Sequence, residues 1–444
     1  MHIFVVYLRI HLTKLSVMLI EFSVGNYLSI KDKKTLSLEA SSITEHKGNL
    51  FKVAKYNLLR SAVLYGANSS GKSNFLKAMS TMRRIVLRSG KLASTDTLDV
   101  IPFLLNTQTT KEPSFFEVLF LIDEKRFRYG FEVNDTQIKT EWLFQMDGTK
   151  EIPLFIREGQ AIEIMACFSE AKGLEIKTRS NALFLAIIDQ FNGPTAEQIL
   201  RWFNNWATIS GLMHDNYRGI TLEMLETEES RLILKDFYVN LDLGFQDLNL
   251  ILTDLTTDKL VSKKFPEEVI KQIIAQFKGE AIKFGEIETI HKVFDNKGDV
   301  ISTKRFDLDQ QESAGTNKII DISGAIFRTL KNGGVIVVDE LDAKLHPLLT
   351  LAIIQLFNST ESNKKNAQLI FATHDTNLLS HGCFRRDQIY FTEKDKFEAT
   401  DLYSLVEYKE NGTKIRKDRS FEKDYIDGRY GAIPYLGDYL TMSR

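Results

Sequence analysis

Eight consecutive residues, Gly66-Ala67-Asn68-Ser69-Ser70-Gly71-Lys72-Ser73, restrict this chain more than any other feature. They fit the pattern G-x-x-x-x-G-K-[ST], in which glycines let the backbone curl until consecutive N–H groups face an anion. The flanks agree with it. Ser61-Ala62-Val63-Leu64-Tyr65 is a short apolar run that predicts a buried strand. From Lys72 to Leu87, apolar residues at Phe75, Leu76, Met79, Met82 and Ile85 recur at helical spacing. A strand, a glycine loop and the positive N-terminal end of a helix together make a phosphate cradle. Lys72 is expected to reach the β- and γ-phosphates of a nucleotide, and the Ser73 hydroxyl to hold magnesium. The four fixed positions arise by chance on the order of once in a hundred chains of this length. The alternative reading is a glycine turn that only caps a helix.

A second half of the same chemistry lies far downstream. Val335-Ile336-Val337-Val338-Asp339-Glu340 is an apolar strand that ends in two carboxylates. Asp339 is expected to help hold magnesium, and Glu340, one residue on, to polarise a water in line with the γ-phosphate. Alone such a strand is weak evidence, but its order after a phosphate loop strengthens it. Phe371-Ala372-Thr373-His374-Asp375 puts a histidine at the end of the next apolar strand. In a parallel sheet the strand C-termini converge on the ligand crevice, so His374 is expected to approach the γ-phosphate.

Composition excludes several classes. The 444 residues suit two or three lobes, and 43% hydrophobic with 26% charged residues is globular composition. A net charge of -2 supplies no global field for nucleic acid or anionic lipid, so nucleic-acid contact would need a local patch. Lys414, Arg416, Lys417 and Arg419 are a small basic run of that kind, read first as a solvated face. Cys167 and Cys383 alone cannot build a disulfide framework, which fits a reducing cytoplasm. Arg9, His11 and Lys14 interrupt the apolar stretches of residues 1–17, which are read as a leader or extra N-terminus and not as a membrane span.

Along the chain, short strands and turns from Leu19 to Leu38 open the fold, and Phe115–Ile122 with Phe127–Val133 predict a hairpin that Lys139–Met146 extends. These form an antiparallel layer beside the phosphate loop. Pro194 starts a helix on which Ile199, Trp202, Phe203 and Trp206 share a face, with the spacing of a core more than of a base-stacking platform. Phe265-Pro266-Glu267-Glu268 starts another helix, and no heptad pattern persists. The expected division is 18–165, an N-terminal lobe with the phosphate loop; 166–290, a helical insertion; 291–405, a C-terminal lobe; and 406–444, a tail. The fold class is α/β, a mixed sheet core with an antiparallel β layer and a helical insertion.

The set of motifs resembles the RloA/AbiL-like group of AAA/ABC-type ATPases, relatives of the OLD, SMC and RecF proteins. The residues that carry this are Asn26-Tyr27-Leu28-Ser29-Ile30, the stretch Tyr65 to Asn74, Glu312-Ser313-Ala314-Gly315-Thr316, Asp339 to Pro347, and Gly428-Arg429-Tyr430-Gly431-Ala432-Ile433-Pro434. They span Met18 to nearly the end. Ser313, Ala314 and Gly315 stand where ABC ATPases have the serine and two glycines of their signature, and Thr316 where they have glutamine. The resemblance implies that this element caps the γ-phosphate bound by an opposite subunit, hence a homodimer or higher homo-oligomer with two composite sites. It implies ATP with magnesium as cofactors and ATP hydrolysis as the activity. His346 matches the D-loop aspartate of transporters, a departure that argues against a transporter motor. The glutamine loop falls either at Gln108 or within Ile101-Pro102-Phe103-Leu104-Leu105, and Arg429-Tyr430-Gly431 either docks a partner or packs as a turn.

Relatives of this group act in prokaryotic anti-phage defence, in abortive infection systems. The resemblance therefore implies a cytoplasmic ATPase that senses infection and controls a separately encoded toxic effector, often a nuclease. About seventy residues follow His374, too few for a nuclease domain, so no nuclease centre is expected in this chain. The alternative is a RecF- or SMC-like ATPase that binds DNA in repair.

Overall fold

The computed structural model describes residues 17–147, 150–254, 267, 283–410, 412–417 and 419–434. Their Cα positions form two compact units: residues 17–212 with 328–434 make the larger, and Met213–Phe327 the smaller.

The larger unit opens with β1 (Val17–Gly25), β2 (Lys34–Ser37), the hairpin β3 (Leu50–Val53) and β4 (Tyr56–Leu59), and β5 (Ser61–Gly66). Helix α1 (Lys72–Arg88) follows the phosphate loop, and β6 (Ser114–Ile122), β7 (Lys125–Val133), β8 (Ile138–Asp147), β9 (Lys150–Glu158) and β10 (Ala161–Ile164) come next. Then come α2 (Phe184–Gln190), α3 (Pro194–Asn204) and β11 (Trp206–Ser210). The first large sheet has seven antiparallel strands in the order β10-β9-β8-β7-β6-β1-β2.

The smaller unit holds α4 (Arg218–Leu225), α5 (Glu228–Asn240), a three-stranded antiparallel sheet of β12 (Asp247–Asp254), β13 (Lys283–Phe294) and β14 (Val300–Asp307), α6 (Leu308–Gln311) and most of α7 (Ala314–Asn332). Buried Asp321 on α7 accepts from Arg218 Nε at 2.6 Å and lies 2.8 Å from His214 Nδ1. Arg218 also reaches Asp309 at 2.6 Å and Asn317 at 3.1 Å. One guanidinium thus pins the first turns of α7 with charge-assisted bonds.

Back in the larger unit, β15 (Val335–Asp339), α8 (Pro347–Asn358), β16 (Gln368–Ala372), α9 (Asn377–Ser380), β17 (Ile389–Lys394) and β18 (Thr400–Ser404) complete a second sheet in the order β11-β15-β16-β5-β17-β18. Its strands are parallel up to β17, and β18 is antiparallel. The apolar runs of β5, β15 and β16 are buried along nearly their whole length, as central parallel strands with both faces covered must be.

Helix α1 packs against β1 of one sheet and β5, β15 and β16 of the other. Its buried Phe75, Leu76, Met79, Met82, Ile85 and Val86 are each worth about 1.5–3 kcal/mol in transfer terms. Phe22 of β1 meets Phe75 edge-on at 5.5 Å. Where the β1 register shifts after Leu19, buried Gln368 supplies the missing partners: Leu19 N donates to its Oε1 at 2.7 Å, and its Nε2 donates to Leu19 O at 3.0 Å.

Several expectations need correction. The stretch 166–290 is not purely helical, because β11, β12 and the start of β13 lie in it. Leu248, Leu250 and Leu252 recur with period two, the mark of a strand. Nor do 166 and 290 bound a compact unit, and the signature residues sit in the smaller unit, apart from β15. Trp206 begins β11 and is not on α3, yet Ile199, Trp202, Phe203 and Trp206 are all core, with Trp202 stacked on Phe120 at 4.3 Å. The helix expected from Phe265 lies outside the described residues apart from Glu267, as do residues 1–16 of the leader and 435–444 of the tail. Among the described residues, no helix is long and apolar enough to cross a membrane.

Candidate nucleotide-binding site

The order of the parallel strands decides what meets at their C-terminal ends. Strand β16 pairs with β5 on one side and β15 on the other. The loop after β5 carries Gly66–Ser73, the end of β15 carries Asp339 and Glu340, and His374 leaves β16 between them. These ends surround a cavity of about 480 Å3 lined by Asn68 to Asn74 of the loop and first turn, Glu340 and His374, together with Ser29 and Lys394.

Gly71 lies at φ 111°, a conformation that favours glycine, and a Cβ there would collide with Thr400. A Cβ on Gly66 would collide with Thr392 and Ser70. Two threonines from the β17–β18 hairpin therefore shape the loop from outside: Ser70 Oγ lies 2.6 Å from Thr392 Oγ1, and Thr400 Oγ1 donates to Ser70 O at 2.9 Å. Lys72 is 5% exposed, and its Nζ donates to Gly66 O at 2.7 Å and Ala67 O at 3.1 Å. Burial pushes its pKa down to about 8, against the opposing pull of Asp339, Glu340 and Asp342. Burial also lowers His374, with Lys72 adding to the effect and the same three carboxylates opposing it.

Glu340 lies at φ 53°, in the left-handed region, which costs a non-glycine residue about 1–3 kcal/mol. The turn is held from both sides. Leu341 N donates to Ala372 O at 3.1 Å, and Gly211 N donates to Asp339 O at 2.7 Å. A Cβ on Gly211 would fall on the Asp339 and Glu340 carbonyl groups.

A family model described as "AAA domain, putative AbiEii toxin, Type IV TA system" matches residues 61–380, from the strand before the phosphate loop to just past His374. The chain belongs to this AAA family. With its phosphate loop at the end of a parallel strand, the AAA chain is a P-loop ATPase of the AAA kind, a kind that binds ATP and generally hydrolyses it. Curated proteins give no match. Among solved structures it is similar to the SMC head domain from Thermotoga maritima, at 11% identity and TM-score 0.35, covering 87% of this chain and 98% of that one. It is also similar to the recombination mediator protein RecF-ATP in the RecFOR pathway, at 12% and 0.34, covering 89% and 100%. A third is CbiO1 from Clostridium perfringens, part of the ABC transporter complex CbiONQ, at 11% and 0.27, covering 86% of each chain.

Magnesium fits the donors of the AAA chain. Asp339 Oδ1 is buried without a hydrogen-bond partner, and the exposed Ser73 stands at the cavity wall. Among the described residues no group of three His, Cys, Asp or Glu side chains could cage a metal. A pair of protein ligands completed by phosphate oxygens and water is how magnesium is commonly bound.

The signature lies in the other compact unit. Ser313 Oγ accepts from Thr316 N at 3.1 Å and lies 2.9 Å from Thr316 Oγ1, an N-cap for α7. Ser313 and Ala314 are exposed, Gly315 is half-buried and Thr316 is buried. Glu312, just before, lies 2.7 Å from His291 Nε2 and accepts from Thr289 Oγ1 at 2.5 Å. Gln108 does not line the cavity; its Nε2 donates to Glu112 at 2.8 Å. Asn26 instead organises this region: its Nδ2 donates to the carbonyls of Thr109 and Glu112, and its Oδ1 accepts from Phe103 N at 3.0 Å.

The Arg429-Tyr430-Gly431 segment packs as a turn. Tyr430 is fully buried, 5.5 Å from Phe391, and its carbonyl accepts from Tyr403 at 2.6 Å. Arg419 of the basic run is engaged by Asp424 and Glu410. Sequence reasoning missed Thr392, Lys394, Thr400 and Gly211, which belong to no motif. Ser29 does fall in a segment that the family resemblance singled out.

Proposed function

We propose that two copies of this chain close around two ATP molecules with magnesium, hydrolyse them and reopen, and that this switch holds or releases a separately encoded toxic effector in defence against phage. The observation that carries the proposal is the convergence of Lys72, Glu340 and His374 on one cavity walled by a phosphate loop.

In this reading the loop N–H groups and Lys72 bind the β- and γ-phosphates, and His374 faces the γ-phosphate. Ser73 and Asp339 hold magnesium, which when bound offsets phosphate charge. Glu340 orients a water and takes its proton as the water oxygen bonds to the γ-phosphorus and the bond to the β-phosphate oxygen breaks, leaving ADP and phosphate. Ser313, Ala314, Gly315 and Thr316, at the N-terminus of a 19-residue helix, face the γ-phosphate of the opposite copy, where N–H groups and helix dipole favour an anion. Closure follows if ATP binds the closed form more tightly than the open one. The family's printed description, which names a toxin–antitoxin system, supports the link to a toxic effector.

Glu340→Gln tests this reading. The variant is expected to bind ATP, hydrolyse it poorly and accumulate as a dimer on size-exclusion chromatography. Normal turnover would move the base elsewhere. Hydrolysis stimulated by DNA ends, with a steep salt dependence, would favour a DNA-binding clamp over the effector switch.

A further inference from the structure

The first residues of α7 are Ala314 and Gly315, and only Glu312 and Ser313 link this helix to α6. From the helix side, Asn317 Nδ2 donates to Leu308 O at 2.8 Å and to Ser313 O at 3.1 Å, which ties α7 to α6. The other anchor of the link is Glu312. Its side chain is only 8% exposed, although Ser313 and Ala314 beside it are open to solvent.

Two side chains of β13 receive that carboxylate. Thr289 and His291 are two residues apart and therefore share a face of the strand, and both meet the same oxygen, Glu312 Oε1. The buried Thr289 gives it a hydroxyl proton at 2.5 Å, and His291 Nε2 lies 2.7 Å away. An ionised carboxylate only accepts, so the imidazole carries its proton on Nε2, which also lies 3.0 Å from Thr289 Oγ1. Aromatic neighbours hold the imidazole in this pose: Phe306 of β14 lies against it, with centroids 4.4 Å and planes 31° apart, and Phe245 stands 6.3 Å off. Burying a carboxylate costs stability unless it is bonded, and an apolar side chain would anchor the link at less cost. What the carboxylate adds is direction, because two converging charge-assisted hydrogen bonds fix where the link runs and so where α7 begins.

We propose that Thr289 and His291 are positioning residues of the composite ATP site: through Glu312 they set the direction in which Ser313, Ala314 and Gly315 meet the triphosphate of the opposite copy. Neither touches the nucleotide. The assignment rests on the two-copy reading above.

Two substitutions with opposite losses test it. His291→Phe keeps an aromatic ring against Phe306 and removes the donor, whereas His291→Gln removes the ring and keeps an N–H donor. Each is made in the full chain carrying Glu340→Gln, and dimer formation with ATP and magnesium is measured by sedimentation velocity. Each dimer uses the signature twice. A loss of about tenfold per site, the size of one hydrogen bond to a charged group, should therefore raise the dimer dissociation constant about a hundredfold in His291→Phe. His291→Gln should stay within about tenfold of the parent, because the donor is retained. Thr289→Val should behave as His291→Phe does, and Thr289→Ser as the parent does. Affinity for ADP, which offers no γ-phosphate to a second copy, should change by less than about twofold in all four. Packing alone predicts the reverse order, with His291→Gln the weaker dimer. That order, equal losses in both histidine variants, or no loss in either would overturn the proposal. A Glu340→Gln parent that stays monomeric with ATP would fail the two-copy reading itself and the positioning role with it, so the two failures are told apart.

Discussion

The hydroxyl of Thr400 donates to the carbonyl of Ser70 at 2.9 Å, across 330 residues of chain. With that proton committed, Ser29 Oγ is the donor in its 2.8 Å contact with Thr400 Oγ1, and Asn74 Nδ2 in turn donates to Ser29 Oγ at 2.7 Å. The relay runs from the first turn of α1 back to the loop that precedes it. Thr400→Val keeps the shape that fills the space beside Gly71 but removes both hydroxyl contacts, to Ser70 O and Ser29 Oγ. Leaving buried partners unmet costs about 1–3 kcal/mol. ATP affinity measured by calorimetry should fall about tenfold in this variant and recover in Thr400→Ser. Equal affinity in Thr400→Val would mean that the loop holds its own shape.

Lys72 gives the site a pH dependence of definite sign. Its folded pKa of about 8 lies below its ordinary value of 10.5. Between those values the unfolded chain binds more protons than the folded one, so this residue's contribution to stability rises with pH across that window. ATP binding moves the other way. Bound phosphate favours the ammonium, so affinity should be highest below about pH 8 and fall above it, at most about tenfold per pH unit. Titrations from about pH 7 to about pH 9.5 check this; a flat profile would mean that Lys72 stays charged throughout.

The parallel half of the fold is legible in the sequence because β5, β15 and β16 are short, largely apolar runs, and central strands need little else. Their shared direction is enough to bring Lys72, Glu340 and His374 to one edge. The residues that tune that edge are not legible. Thr392, Thr400 and Gly211 act through tertiary contacts, and each stands in unremarkable local sequence. Strands β12 and β13 are hidden for another reason: helix-start signals at Pro194 and Pro266 dominate a region whose alternating leucines are few.

The exposed Ser313 separates a local from an assembly role. Ser313→Ala removes only the cap on α7, a loss of about 1 kcal/mol that a melting curve would detect. Ser313→Arg adds a bulky charge where a second copy's triphosphate is proposed to sit. In the Glu340→Gln background with ATP, Ser313→Arg should run as a monomer on size-exclusion chromatography while Ser313→Ala still dimerises. A dimer in both, with hydrolysis by Ser313→Arg alone at the unmodified rate, would remove the signature from the composite site.

Gly211 lets the chain leaving β11 approach the Asp339–Glu340 turn. Its N–H holds Asp339 O at 2.7 Å, and an added Cβ would lie 2.7 Å from that oxygen and 2.8 Å from the Glu340 carbonyl carbon. Gly211→Ala must therefore push Glu340 out of its left-handed conformation or displace the end of β15. The overpacking should lower stability by about 1–3 kcal/mol. A shift of about 1 Å in the residue proposed to orient water should lower kcat about a hundredfold. The phosphate loop is carried by β5, two strands from β15, so the affinity for ATP measured without magnesium should change by less than about twofold. Calorimetry beside steady-state hydrolysis tests the split: falling kcat at constant Kd is the signature of a misplaced base, whereas kcat unchanged at full occupancy would show that Glu340 does not depend on this contact.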